Sequence, residues 1–304
     1  MPTITRCRIA SDVDHLSKVQ LEDVSSELKE HHPKLHIECI SFDISDMDQN
    51  EAPNSPLRVA RLMKKLLDDE FDALVLNATK LPARLPNGLT MGAITNRLTP
   101  YDVLISCDCL LDELPESAKI VANDERREAQ LLYYRPDLKM VRSRGSIDSL
   151  IQKVASNKID GAVLAAGDVE RLKKQDHVVE FLTCSVSMPA AGQGSLAVLV
   201  RSSDESGKKS LRAINDPASY SEVVAEWAFL DCLGVHDDAP VAVLGSLEGS
   251  RLELEGMVAL PDGTERIYST MRGTVGHEAE LGQKLAGEIL ETGGKQLLRE
   301  LDLL

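Results

Sequence analysis

Short apolar runs alternate with helical patterns along this sequence, and that alternation is the feature that most limits the possible folds. Ile4–Ala10 predicts a strand, and Asp14–Lys29 has its apolar residues at helical spacing. The pair recurs as a strand at 35–42 and a helix at 57–67, and a further strand is predicted at 73–76. Repeated units of this kind are typical of α/β proteins with mostly parallel sheets.

A second cycle of the same kind begins near Asp102. Its strands are predicted at 103–106, 119–122, 139–142, 161–165 and 178–182. A turn AAGQG then leads into the strand SLAVLVR, and a long helix ends at Leu233. The remainder predicts a meander of strands at 241–244, 252–260 and 266–271, so we expect a separate α+β domain at the C-terminal end.

Charge and hydropathy exclude several classes of function. The net charge of −15 argues against nucleic acid, because a phosphate-binding surface needs a basic stripe and none is present. No apolar run approaches the roughly 18 residues of a membrane span, and the start lacks a signal-peptide pattern, so we expect a cytoplasmic monomer. The negative field would repel an acidic ligand, which a local cluster of arginines would then have to capture.

Three short motifs are weak candidates for other chemistry. The histidines at 31, 32 and 36 are interrupted by Pro33, so we expect a solvated turn and no metal site. Cys107 and Cys109 could bind a soft metal or oxidise, but no second pair accompanies them. The segment Gly192–Gly194 is too short for a phosphate loop and precedes a strand, which favours a tight turn at an interdomain crossover.

Five segments, in order, carry a resemblance to a known family. They are PNGLTMGAITNRLTPYDVLI, ERREAQLL, SRGSIDSL, AAGQGSLAV and NDPASYSEVVAEWAFL. Each resembles a motif of the porphobilinogen deaminase (hydroxymethylbilane synthase) family, and their order and spacing match that family from end to end. The chain is therefore identified as a divergent member of it.

The resemblance implies a fold and a division into domains. We expect two periplasmic-binding-protein-like (type II) α/β domains around a cleft, plus a small α+β C-terminal domain. Domain 1 would comprise 1–99 and 197–217, domain 2 would comprise 100–196, and domain 3, with a degenerate cofactor-attachment segment, would comprise 218–304.

The resemblance also implies a cofactor, which this sequence is expected to lack. Family members attach a dipyrromethane to a cysteine thiolate in the third domain and extend it by condensing porphobilinogen units. Asp237 stands at the position of that cysteine, and a carboxylate cannot form the stable thioether. Cys232, five residues earlier, is a remote substitute. We therefore expect no dipyrromethane.

A second family position has the opposite charge in this sequence. The family loop carries an aspartate that stabilises the cation formed when ammonia departs, and Lys80 stands there, with Thr79 at the place of a substrate-binding lysine. Two unit charges about 4 Å apart interact by roughly 4 kcal/mol in a partly enclosed site. Asp12 and Asp14 replace a family arginine and serine and would repel a carboxylate.

The remaining candidate ligand-binding residues are Arg126, Arg127 and Arg144, together with Asn77 and Thr79. The arginines could hold carboxylates, although arginines near helix termini are also common as surface salt-bridge partners.

These substitutions lead to three functional hypotheses. The first is a pseudoenzyme that binds a small anionic ligand or a protein partner. The alternatives are an active hydroxymethylbilane synthase of tetrapyrrole biosynthesis, and an enzyme of new specificity on the same fold.

Overall fold

The computed structural model describes residues 6–42, 55–82, 84–143, 145–235, 239–301 and 303. The chain divides into two compact units, the first formed by 1–97 and 195–220 and the second by 98–194 and 221–304. The three predicted domain boundaries stay a prediction.

The secondary structure follows the alternation that the sequence predicts. The strands are β1 (Arg6–Asp12), β2 (His36–Phe42), β3 (Ala73–Asn77), β4 (Leu89–Ile94), β5 (Asp102–Ser106), β6 (Lys119–Val121), β7 (Lys139–Met140), β8 (Gly161–Ala165), β9 (Glu180–Phe181), β10 (Leu196–Arg201), β11 (Val241–Glu248), β12 (Arg251–Ala259) and β13 (Arg266–Thr274). The α-helices are α1 (His15–His31), α2 (Pro56–Leu67), α3 (Glu125–Tyr134), α4 (Ile147–Ala155), α5 (Ala166–Arg171), α6 (Glu205–Leu211), α7 (Pro217–Leu233), α8 (Glu278–Ile289) and α9 (Lys295–Glu300). No helix of the described part of the chain is long and apolar enough to cross a bilayer.

The first unit is built on a five-stranded sheet with the order β2-β1-β3-β10-β4. Strand β1 runs parallel to β2 and β3, whereas β10 runs antiparallel to β3 and β4. Helix α1 covers one face, where Leu21, Val24 and Leu28 are buried against Ile9 and Val75. This apolar burial fixes the sheet on which the first candidate residues lie.

The second unit contains a sheet with the order β7-β6-β8-β5-β9. Strand β6 is parallel to β7 and β8, and β5 is antiparallel to β8 and β9. In both sheets one antiparallel strand lies between the third and the last strand, so the two sheets share one topology. The predicted pair of α/β domains of the periplasmic-binding type is confirmed.

The end of the chain forms the predicted α+β part. Strands β11, β12 and β13 make an antiparallel sheet, and its core includes Phe229 of α7, Leu254 of β12 and Leu285 of α8. The turn before β13 packs closely against α3. Gly263 in this turn has a φ of +72°, and a Cβ there would lie 2.6 Å from the carbonyl carbon of Leu132. Only glycine tolerates both conditions.

Strand β4 was not predicted. Its sequence, LTMGAI, contains Gly92 and lacks clear alternation, so the period-two signal is weak. The strand forms because β10 pairs with it over Leu89–Ile94, and Leu211 packs where a Cβ of Gly92 would lie. Tertiary pairing therefore overrides the local pattern here.

Candidate functional site

The first group of predicted site residues lies at the carboxyl end of β3. After the buried strand, the chain makes a single 3₁₀ turn over Ala78–Lys80. The side-chain oxygen of Asn77 accepts hydrogen bonds from the backbone N–H of Thr79 at 3.1 Å and from its hydroxyl at 3.0 Å. Lys80 follows and is exposed. The structure thus brings Asn77, Thr79 and Lys80 together on one short turn.

Asp12 lies at the carboxyl end of β1, and its charge is already balanced. Asp12 is 1% exposed, and its carboxylate accepts a hydrogen bond of 2.9 Å from Nε of Arg58, whose Nη2 also pairs with it. Asp14 caps helix α1 by accepting from the backbone N–H of Ser17 at 3.1 Å. The expectation that Asp12 repels a ligand carboxylate is wrong, because Arg58 neutralises its charge. For Asp14, which caps the helix, that expectation stays a prediction.

The second group of predicted site residues is centred on Asp102 in the second unit. Arg126 donates to one oxygen of Asp102 through both terminal nitrogens at 3.0 Å. Arg127 donates to the other oxygen from Nε at 3.0 Å and from Nη2 at 2.8 Å. Ser187 adds a hydrogen bond of 2.7 Å and Gln193 one of 2.9 Å. Six donors therefore surround one buried carboxylate.

This network controls the ionisation of Asp102. Burial alone would raise the pKa of its carboxyl group, because a charged group is poorly solvated inside a protein. The charges of Arg126 and Arg127 outweigh that effect and, with the hydrogen bonds, hold the pKa well below its usual range. Asp102 is thus a buried anion whose charge is balanced by two guanidinium groups.

The two arginines are not exposed as their sequence position suggested. The side chain of Arg126 is 4% exposed and also donates to the Met188 carbonyl, and that of Arg127 is 13% exposed and bonds to Asp124. The alternative that they are surface salt-bridge partners is therefore wrong. Their role in ligand binding stays a prediction.

Two further predicted site residues, Arg144 and Asp237, lie outside the described residues. Leu150, which stands where the family has an arginine, is 2% exposed and belongs to the core between α4 and β8. This position therefore packs in the interior and offers no cation.

Sequence reasoning missed the polar residues that hold the GQG turn. Gln193 donates to the carbonyl of Pro100 at 2.6 Å as well as to Asp102. Gly194 has a φ of +91°, and a Cβ there would lie 2.5 Å from the carbonyl oxygen of Leu98. The fully buried Glu226 accepts from the backbone N–H of Gly192 at 2.6 Å. The predicted tight turn is confirmed. Glu226 could have been found from the sequence, because it lies in the family-like segment AEWAFL.

The cysteines differ in their chemical availability. Burial raises the pKa of Cys7 to about 12 and that of Cys184 to about 11, so both thiols stay protonated near neutral pH. Cys39, Cys107 and Cys232 are exposed. Of these, Cys232 lies in the last turn of α7, close to the position where the family has its cofactor cysteine. Among the described residues no group of three or more histidines, cysteines or acids could hold a metal ion.

Two α/β sheets of one topology, followed by an α+β part, define a protein of the two-domain periplasmic-binding class with an added C-terminal domain. Residues 7–209 match the family model "Porphobilinogen deaminase, dipyromethane cofactor binding domain", and residues 220–291 match "Porphobilinogen deaminase, C-terminal domain". The chain belongs to the porphobilinogen deaminase family.

Two individual relatives agree with the family models. A porphobilinogen deaminase of Pelotomaculum thermopropionicum is 40% identical over 77% of this chain and 75% of its own length. One of Syntrophus aciditrophicus is 34% identical over 94% of this chain and 96% of its own length. A periplasmic substrate-binding protein of an ABC transporter from Coxiella burnetii, at 18% identity and a TM-score of 0.44, covers 71% of this chain and 94% of that one.

The family model corrects one expectation directly. Residues 7–209 match a domain that is described by its binding of dipyrromethane, so the expectation that this cofactor is absent is wrong. The donor set can be compared with what such a cofactor needs, which is a thiol for attachment and donors or cations for its carboxylates. The second unit has an exposed thiol, Cys232, and the first unit has the donors Thr79 and Lys80. Each group type, taken by itself, is one that the cofactor needs.

Proposed function

We propose that this chain is a hydroxymethylbilane synthase of tetrapyrrole biosynthesis, which joins porphobilinogen units into a linear chain as ammonia leaves. The observation that carries the proposal is the match to porphobilinogen deaminases along nearly the whole sequence, 98% of this chain and 95% of the protein from Geobacter sulfurreducens at 33% identity. The match therefore extends over all domains of that relative.

Dipyrromethane, when bound, would supply the pyrrole end to which the first substrate unit is joined. Among the residues of this chain, Cys232 is the one that would hold it covalently, because it is an exposed thiol that lies five residues before Asp237, where the resemblance places the cofactor cysteine. A thiolate is a strong nucleophile and forms a hydrolytically stable bond, so an exposed thiol near the family attachment position can take over this role.

The carboxyl end of β3 would bind a substrate carboxylate. Lys80 is exposed there, and Thr79 is fixed by Asn77, which orients the backbone of the 3₁₀ turn. A local cation is needed because the net charge of −15 opposes the approach of an acidic ligand. Lys80 would therefore gain a binding role at the position where the family has its aspartate.

A second candidate function is a family member that binds pyrrole carboxylates without extending the chain. It is favoured by one observation, the exposed Lys80 itself. A cation opposes the positive charge that develops as ammonia departs, whereas an aspartate stabilises it. The two candidates share the cofactor and differ in turnover.

The attachment proposal predicts a mass for the purified protein. We expect the intact mass of protein from a cell that makes haem to exceed the polypeptide mass, after allowance for Met1, by two porphobilinogen-derived units. Peptide mapping should place the surplus on Cys232, and Cys232→Ser should remove it. Cys107→Ser, which changes another exposed cysteine, should keep the surplus. A wild-type protein without the surplus, or a surplus that survives Cys232→Ser, would show that this attachment is wrong.

A further inference from the structure

A cavity of about 270 Å³ lies in the first unit, at the amino ends of β1 and β3. Its walls include Cys7 of β1, Leu28 of α1, Val200 of β10 and Leu211 of α6. The carboxyl end of β3, which carries Asn77 and the residues after it, is at the other end of that strand. The cavity is therefore separate from the candidate site described above.

One part of the cavity wall is apolar, and the rest carries charged and hydroxyl side chains. Leu28, Val200 and Leu211 are each at most 2% exposed and pack in one core cluster. Burial raises the pKa of Cys7 to about 12, so its thiol is neutral and behaves as a small apolar group. A hydrocarbon group would gain free energy by leaving water for this surface.

The cations that line the cavity already have acceptors. Arg201 donates to the carbonyl oxygen of Leu66 at 2.9 Å and to that of Phe71 at 2.6 Å, and it pairs with Asp69 at 3.0 Å. Arg6 pairs with Glu38 at the surface. An anionic ligand would have to compete with these acceptors.

The two carboxylates that line the cavity differ in how fully they are paired. Asp72 is paired with Arg8 at 2.8 Å. Asp204 accepts through Oδ1 from the backbone N–H of Gly207 at 2.8 Å, and its Oδ2 has no hydrogen bond or ion pair with any residue that the structure describes. Burial is the main cause of the raised pKa of Cys7, and the charges of Asp72 and Asp204 raise it further. The negative potential of these two carboxylates therefore reaches the interior of the cavity. The lining therefore offers an acceptor to a cation.

We propose that this cavity binds a small organic amine, whose hydrocarbon body contacts the apolar walls and whose ammonium group donates to Oδ2 of Asp204. The volume is slightly below the roughly 300–1,000 Å³ typical of sites for drug-sized ligands, so the amine should be about the size of benzylamine. This site is independent of the proposed synthase activity.

Calorimetric titration of the full chain with three probes of one size tests the charge requirement. Benzylamine should bind at least tenfold more tightly than the neutral benzyl alcohol, because only the ammonium forms a charge-assisted hydrogen bond with Asp204. Benzoate should give no binding heat. Equal affinities for the three probes, or no binding of benzylamine, would overturn the proposal.

Variants locate the binding in the cavity. Asp204→Asn should weaken benzylamine at least tenfold while keeping the fold, because asparagine caps helices as well as aspartate. Glu205→Gln removes the same charge at a neighbouring residue that is 83% exposed, and it should leave the affinity unchanged. Ser210→Phe should abolish binding by filling the space. If Asp204→Asn binds as well as the wild type, or Glu205→Gln weakens binding equally, the assignment of Asp204 is wrong.

Discussion

Replacing Asp102 by asparagine should lower the free energy of unfolding by about 3–5 kcal/mol, the cost typical of removing one partner from a buried ion pair. The reason is that Arg126 and Arg127, with side chains 4% and 13% exposed, would lose the carboxylate that balances their charges. Urea unfolding followed by circular dichroism measures the change.

The control for this variant is Asp68→Asn, which breaks an exposed pair with Lys64, whose side chain is 74% exposed. That change should cost less than about 1 kcal/mol. A cost for Asp102→Asn as small as that of the control would show that the buried network is not a major source of stability.

The same network should make stability depend on acid. The lowered pKa of Asp102 means that its ionised form stabilises the fold above its unfolded pKa of about 3.9, and that this contribution declines as the pH falls further. The difference in the free energy of unfolding between the wild type and Asp102→Asn should therefore be constant near neutral pH. It should decrease as the pH falls below about 4.

Replacing Lys80 by aspartate should raise the turnover of porphobilinogen by at least about 10²–10³-fold, which is the usual effect of one electrostatic group at a charged transition state. The change turns repulsion of the developing cation into attraction. Lys80→Gln removes only the repulsion and should give an intermediate rate. Release of ammonia at saturating porphobilinogen measures the effect.

Lys158→Asp supplies the matched control, because it makes the same change in net charge at an exposed lysine of the second unit. Its turnover should equal that of the wild type. If Lys80→Asp and Lys158→Asp behave alike, position 80 has no electrostatic role in the reaction.

The order of strands and helices could be predicted because it depends on local periodicity. The helix to Leu233, the strand at Gly161–Ala165 and the three-stranded meander all follow from apolar spacing within one segment. Strand β4 depends on pairing with β10, which is about a hundred residues later in the chain. Its own segment does not contain that information.

The site was predictable only in part, for a similar reason. Asn77, Thr79 and Lys80 are neighbours in sequence, so their grouping at one strand end could be expected. The environment of Arg126 depends on Asp102 and Met188, which are 24 and 62 residues away, and no local pattern indicates that it is buried. The pairing of Asp12 with Arg58 across 46 residues is hidden in the same way.

The most direct test of the central claim is the conversion of porphobilinogen by the purified wild-type protein, with product measured as the uroporphyrin that hydroxymethylbilane forms after ring closure and oxidation. We predict that product forms faster than in a protein-free control, with one ammonia released for each porphobilinogen consumed. If neither the wild type nor Lys80→Asp consumes porphobilinogen above the spontaneous rate, this contradicts the synthase proposal and favours the binding protein that does not extend the chain.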